Sequence, residues 1–358
     1  MSLVVWLFSH LAFVLLVNDV LHSDVILVRR SEIQYQCIQK RVENSLSSPR
    51  RCGADRCWCD ADTADCSGQS LRHISKLPEN VRVPDVSRNR ISCESEARFT
   101  NATKITHLSL ALNSLLRIKE GVFRTMVNLA CLSLDGNVRL ADWSGTFKYI
   151  LTIPSLQQIS AARCDRIHCF ADVGNSSLKS LVFSSSDFLP DFPVFCALRE
   201  LKELFLDGSL NSYDLVPLCP VQVQSLHLEY NNLNSFPTTC NGNVSLFPSL
   251  ESLYLSHNRT GALHRSVICL PKLKPLDITG NLLTVLQPQV FSTKKCPNLL
   301  ALNINRQILT FVPQEHIDER AFPSTSLRSL SLADKGLDFS VHGHVNGTTF
   351  GTVHSFGH

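Results

Sequence analysis

The side chains that could do chemistry in this 358-residue chain are its 14 cysteines, 13 histidines and 31 Asp and Glu residues. The densest constellation is Cys52-x4-Cys57-x-Cys59-x6-Cys66. Four such thiols could hold zinc, but zinc pairs usually sit about two to four residues apart, and the single step between Cys57 and Cys59 fits that poorly. So many cysteines also point to an oxidising compartment, where bridges persist. Disulfides are therefore expected here, with no metal and no cofactor. The end of the chain, from Val341 to His358, holds four histidines, His342, His344, His354 and His358, and no leucine. A His-rich tract can bind metal, but this one reads as an irregular, disordered tail. There is no G-x-S-x-G, no phosphate-binding glycine loop, no H-E-x-x-H and no dinucleotide turn. The chain is read as a non-enzyme.

The elements that position these residues come from a repeat. Val223 to Phe236 reads VQSLHLEYNNLNSF, with apolar residues at Val223, Leu226, Leu228, Leu233 and Phe236 and an asparagine at Asn231. This L-x-x-L-x-L-x-x-N-x-L frame is the signature of a leucine-rich repeat. Leu226 and Leu228 alternate, so they face one side of a short strand while His227 and Glu229 face the other. Asn231 falls where the chain turns inward, and its amide can both donate to and accept from neighbouring coils, which leucines cannot do. The frame opens in degenerate form at Val81, then at Ile105, Leu129, Leu156, Leu178, Leu201, Val223, Leu250, Leu273, Leu299 and Leu327. The inward-turn position is Asn89, Asn113, Asn137, Cys164, Ser186, Ser209, Asn231, Asn258, Asn281, Gln307 and Lys335. Lysine cannot accept a hydrogen bond, so the last coil departs from the pattern. Phe99, Phe123 and Phe291 are placed to fill the core from the convex side.

The expected architecture is an α/β solenoid shaped like a horseshoe, with a parallel concave sheet, an irregular convex side and a disulfide cap at the N-terminal end. Its divisions are a signal peptide over 1–23, a leader over 24–51, the cap over 52–80, about eleven repeats over 81–340 and the tail over 341–358. The signal peptide rests on the apolar run from Leu3 to Val17, ahead of the first acidic residue, Asp19. No later stretch has the ~18 consecutive apolar residues that a membrane helix needs. No cysteine cluster closes the last coil, so the chain reads as a truncated or soluble form. With 44% apolar residues, 18% charged residues and a formal charge of +3, it is a folded protein with no electrostatic case for nucleic acid or an anionic membrane.

Side chains between the two strand leucines form a solvent-facing column across coils about 5 Å apart. It runs Ser109, Ser133, Ser160, Val182, Phe205, His227, Tyr254, Asp277, Asn303, Ser331. Phe205, His227 and Tyr254, with Asp207, Glu229 and Asp277 beside them, are the candidate ligand patch, because rigid aromatics give contact area at little entropic cost. The sequons at Asn101, Asn175, Asn243 and Asn346 are candidate glycosylation sites, whereas the Asn258 sequon coincides with a buried turn and should stay unmodified. Cys131 and Cys164 read as small buried side chains. Cys269 and Cys296 lie just before successive strands, where a bridge between them would fit.

The four-cysteine cluster resembles the N-terminal cap of extracellular leucine-rich-repeat proteins, which implies the pairs Cys52–Cys59 and Cys57–Cys66. With the irregular coil spacings and phrases such as FRTMVNLACLSLDGN and LPENVRVPDVSRNRI, residues 52–340 resemble the N-terminal part of a Toll-like receptor ectodomain. That resemblance implies recognition of microbial molecules, dimerisation with another leucine-rich-repeat chain, and residence outside the cell or facing the endosomal lumen. The competing expectation is a secreted or surface adhesion or matrix protein of the same architecture that binds a protein partner.

Overall fold

The structure is a computed structural model that describes residues 49–52, 57–74, 77–92, 102–119, 121–140, 143–164, 177–185, 192–209, 219–264, 268–283, 285–286, 289–307, 327 and 329–331. The apolar N-terminal run, nearly all of the leader segment and the His-rich end lie outside these residues.

A single sheet threads the whole described chain. Three short strands of the cap, β1 (Arg50–Cys52), β2 (Cys57–Asp60) and β3 (Thr63–Asp65), pair antiparallel. From β3 on, pairing is parallel: β4 (Val83–Asp85), β5 (His107–Ser109), β6 (Cys131–Ser133), β7 (Gln158–Ser160), β8 (Ser180–Val182), β9 (Glu203–Phe205) and β10 (Ser225–His227) follow in order. The convex side carries a small hairpin, β11 (Cys240–Asn241) with β12 (Val244–Ser245). The concave sheet resumes with β13 (Ser252–Tyr254), β15 (Pro275–Asp277), β17 (Ala301–Asn303) and β18 (Ser329–Ser331). Between them β14 (Ala262–Leu263) and β16 (Val285–Leu286) form a second parallel pair. Three-residue strands repeated once per coil make a leucine-rich-repeat solenoid.

Register is held residue for residue: Leu204, Leu226, Leu253, Leu276 and Leu302 align across successive strands. Their side chains enter one continuous core with Leu228, Leu255 and Ile278. One face of each strand is thus buried, which is what fixes a period-two register. Phe123 and Phe291 are buried, as are Phe147, Phe195 and Phe247, which the repeat frame did not single out, while Phe183 is buried at the second strand-leucine position of its own coil. Phe147 sits on α1 (Trp143–Ile150) and meets Phe183 edge to face at 5.4 Å. This short helix occupies the extra length of the coil that opens at Leu129. A second one, α2 (Phe192–Ala197), lies in the shorter coil from Leu178. Phe99 lies outside the described residues.

The turn asparagines lace the coils together. Asn113 donates to Val86 O in the preceding coil at 3.0 Å and to Leu110 O in its own at 3.1 Å, while its Oδ1 accepts Ile91 N–H at 3.0 Å. Asn89, Asn137, Asn231, Asn258 and Asn281 bond in the same manner, and Gln307 reproduces it with one more methylene. Where the ladder is broken, smaller groups substitute: Cys164 Sγ lies 3.7 Å from Leu134 O and Ser209 Oγ donates to Phe183 O at 2.6 Å. Ser186 and Lys335 lie outside the described residues.

Disulfides close the cap, Cys52 to Cys59 and Cys57 to Cys66. Two more tie the convex side, Cys196 to Cys219 and Cys240 to Cys269. Two sequence expectations for cysteines are corrected. Cys269 pairs with Cys240 rather than with Cys296, because the hairpin of β11 and β12 folds back to place Cys240 5.2 Å, Cα to Cα, from Cys269. Cys296 is instead a buried thiol whose pKa is pushed up to about 12 by desolvation. Cys131 is buried, but as half of a disulfide rather than as a small packed thiol.

Candidate functional site

The concave columns divide into two stretches. From β5 to β8 the middle-strand column is Ser109, Ser133, Ser160 and Val182, and all four are buried rather than solvent-facing. The serines have a reason to be dry. Asp135, one coil position further along, accepts from Ser133 Oγ at 3.0 Å, from Ser160 Oγ at 2.6 Å and from Ala162 N–H at 2.7 Å. Burial pushes the Asp135 carboxyl above its ordinary range, and the hydrogen bonds from Ser160, Ala162 and Ser133 pull the other way. Asp135 was not expected as a special residue. The D-G-N turn that contains it was visible, but two of its three partners, Ser160 and Ala162, come from the next coil.

From β9 to β15 the same column is Phe205, His227, Tyr254 and Asp277. Parallel strands in register put these side chains directly beside each other, and the rings stack. Phe205 and His227 centroids lie 4.1 Å apart at 20°, and His227 and Tyr254 lie 4.4 Å apart at 17°. Phe205, at the end nearest the serine column, is only 9% exposed. His227, Tyr254 and Asp277 are half-buried. Desolvation lowers the His227 pKa to about 4, so the ring is neutral at pH 7. Ser225 Oγ lies 3.0 Å from its Nε2.

Carboxylates flank the stack. Asp207 is buried and its Oδ1 accepts the Glu229 N–H at 2.8 Å, so it also links two coils. Glu229 is half-buried and accepts from Ser256 Oγ. Asp277 Oδ1 accepts the Thr279 N–H at 2.9 Å, a local turn bond that occupies part of this expected ligand residue. Asp207, His227 and Glu229 each offer one potential ligand atom, and these atoms all lie within 4.8 Å of one another.

Beside the column is a second aromatic pair that sequence reasoning missed. Tyr230 and His257 stack at 4.4 Å and 5°. Both precede a ladder asparagine and both have left-handed backbone, φ 54° and 56°. Gly280 fills that position in the next coil, and a Cβ there would come within 2.8 Å of His257 Nδ1. The signal was the residue before the ladder position, glycine in Gly136, Gly208 and Gly280, whose side-chain-bearing counterparts share one column.

Of the candidate glycosylation sites, Asn243 is exposed in the turn between β11 and β12, on the opposite side from the concave sheet. Asn258 is buried in the ladder. Asn101, Asn175 and Asn346 lie outside the described residues.

Residues 248–307 match the family model described as leucine rich repeat. The chain is 25% identical over 237 residues to osteomodulin of Bos taurus, covering 64% of this chain and 54% of that one. It is 24% identical over 291 residues to an adenylate cyclase of Schizosaccharomyces pombe, covering 78% of this chain but 16% of the cyclase. The chain therefore spans about half of osteomodulin and a sixth of the cyclase. Among solved structures it is similar to the Toll–Spatzle complex, described as a molecular hub in Drosophila development and innate immunity. That likeness has a TM-score of 0.55 at 19% identity, over 73% of this chain and 38% of the other. At that identity the likeness speaks for the leucine-rich-repeat fold alone.

Proposed function

We propose that this chain is an extracellular recognition module that binds its partner on the concave face around Phe205, His227 and Tyr254. In the favoured reading it resembles a Toll-like receptor ectodomain: it takes a microbial ligand and dimerises with itself or with another leucine-rich-repeat chain. The observation that carries the proposal is the stacked ring array, a rigid apolar strip bordered by Asp207, Glu229 and Asp277. Stacked rings lose little freedom on binding, so contact made there is retained as affinity. Residues 1–23 would act as a secretory leader, and the disulfides of the cap suit that route. Among the described residues no helix is long and apolar enough to cross a membrane. A glycan at Asn243 would leave the concave face open. Binding rather than catalysis is the reading, because the sequence carries none of the catalytic motifs sought in it.

The second reading is a secreted or surface adhesion or matrix protein that binds a protein partner through the same face, and the likeness to osteomodulin favours it. One assay separates the two. Immobilised chain is challenged with bacterial lipopeptide, polysaccharide and nucleic acid, and in parallel with detergent-solubilised cell-surface and matrix proteins. Retention of the microbial set, lost in Tyr254→Ala at unchanged Tm, supports the receptor reading. Retention of the protein set alone supports the second, and equal binding by Tyr254→Ala removes the patch from either.

A further inference from the structure

One cluster on the concave face has a chemistry that partner recognition does not require. Asp207, His227 and Glu229 offer two carboxylate oxygens and one imidazole nitrogen, all within 4.8 Å of one another. They come from adjacent strands in fixed register: Asp207 lies two residues past the end of β9, opposite Glu229, which lies two residues past the end of β10. Their arrangement is therefore built into the sheet.

We propose that Asp207, His227 and Glu229 bind a divalent transition-metal ion, with Zn2+ the ion the donors suit best. The mixed donor set decides the class. Ca2+ and Mg2+ prefer oxygen ligands throughout, whereas imidazole with carboxylate is a zinc-type set, three protein ligands leaving one position for water or a partner's group. Donors around one Zn2+ at about 2.0–2.2 Å must approach within roughly 3.5 Å of each other. From 4.8 Å that needs movements of about an ångström, available to the three torsions of Glu229.

The surroundings hold the ligands in place. His227 is clamped between Phe205 and Tyr254, so its ring cannot swing away. The Ser225 hydroxyl, 3.0 Å from Nε2, can accept the proton of that nitrogen and leave a lone pair on the other, the usual outer partner of a metal-binding imidazole. Backbone N–H of Glu229 fixes Asp207, and Ser256 Oγ donates to one carboxylate oxygen of Glu229. Asp207 is only 6% exposed, and a carboxylate that dry beside a second one is stabilised by a cation. The site stands whether or not the partner reading above is right, because the metal alone is the probe.

The full chain, stripped with chelator, is titrated with ZnCl2 by calorimetry and by melting temperature, without any partner. A background variant with His342, His344, His354 and His358 changed to Gln removes the tail as a competing binder. The proposal expects one Zn2+ per chain in that background, a Tm that rises with Zn2+, and no comparable response to Ca2+. His227→Phe, which preserves the stack, and Glu229→Gln should each weaken binding by about 100-fold or more while the zinc-free Tm of Glu229→Gln stays near wild type. Loss of all zinc binding in the tail variant would overturn the proposal, as would undiminished binding in Glu229→Gln. If His227→Phe fails to fold, Glu229→Gln with Asp207→Asn still decides.

Discussion

Two stretches of one sheet, β5 to β7 and β9 to β13, share strand length, register and the leucines beneath them, yet their concave surfaces are opposite in character. In the first, Ser133 and Ser160 satisfy the carboxylate of Asp135, Ser109 bonds that of Asp85, and the three serines and Asp135 are buried. In the second, Phe205, His227 and Tyr254 cannot satisfy one another by hydrogen bonds; they stack and leave ring edges and half-buried carboxylates at the surface. Side chains about 5 Å apart must interact with their column neighbours. Small polar residues turn that proximity into a closed network, and large planar ones turn it into a strip that others can touch. The scaffold permits both, and the column residue alone chooses.

The largest effect should come from opening the closed network. Asp135→Ala leaves two buried hydroxyls and the Ala162 N–H without their acceptor, a cost of about 3–5 kcal/mol. Thermal unfolding should show it, with ligand binding at the aromatic strip unaffected below the new Tm. Loss of binding without loss of stability would show the two stretches to be coupled.

His227 provides the next contrast. Its folded pKa is about 4 against an ordinary 6.5, so between these values the unfolded chain binds more protons and folding weakens as pH falls. The stability present above about pH 6.5 should decline towards pH 4 by up to about 3 kcal/mol, an upper bound because Asp207 and Glu229 favour the imidazolium. His227→Phe should flatten that part of the Tm–pH curve, and a curve identical to wild type would remove His227 as its cause. Gly280→Ala is expected to cost about 1–3 kcal/mol, from left-handed backbone at φ +67° and from contact with the His257 ring. Chemical denaturation measures it, and an unchanged midpoint would mean that the Tyr230–His257 pair yields without strain.

The smallest effect is expected at Glu251 and Lys274, an exposed pair at 2.7 Å just before β13 and β15. Lys274 holds the Glu251 carboxyl below its ordinary range, by a hydrogen bond first and by charge second, but both groups are open to solvent. Glu251→Gln should leave the Tm unchanged within error. A measurable drop would mean that surface charge contributes to the aromatic half in a way the serine half lacks.

Much of this was legible before any coordinates. Leu226, Leu228 and Asn231 announce strand, core and inward turn because each needs its own residue type, and the coil repeats that need. The aromatic column was legible too, since parallel register converts sequence spacing into neighbourhood. The Cys240–Cys269 bridge was not, because it depends on how the β11–β12 hairpin folds back, and a repeat frame describes strands rather than convex excursions. The Tyr230–His257 stack escaped for a different reason: its residues occupy a left-handed turn position whose side-chain direction no strand periodicity gives.

The sequence by itself determined the solenoid, its register and the identity of every column residue, because those follow from which residues recur and at what spacing. Tertiary structure alone decided which of those residues stay dry. Burial of Asp135 and Asp207, the clamped neutral imidazole of His227 and its approach to two carboxylates all depend on side chains from adjacent coils meeting at a few ångströms. Desolvation and hydrogen-bond satisfaction are properties of that meeting, and no single coil contains them.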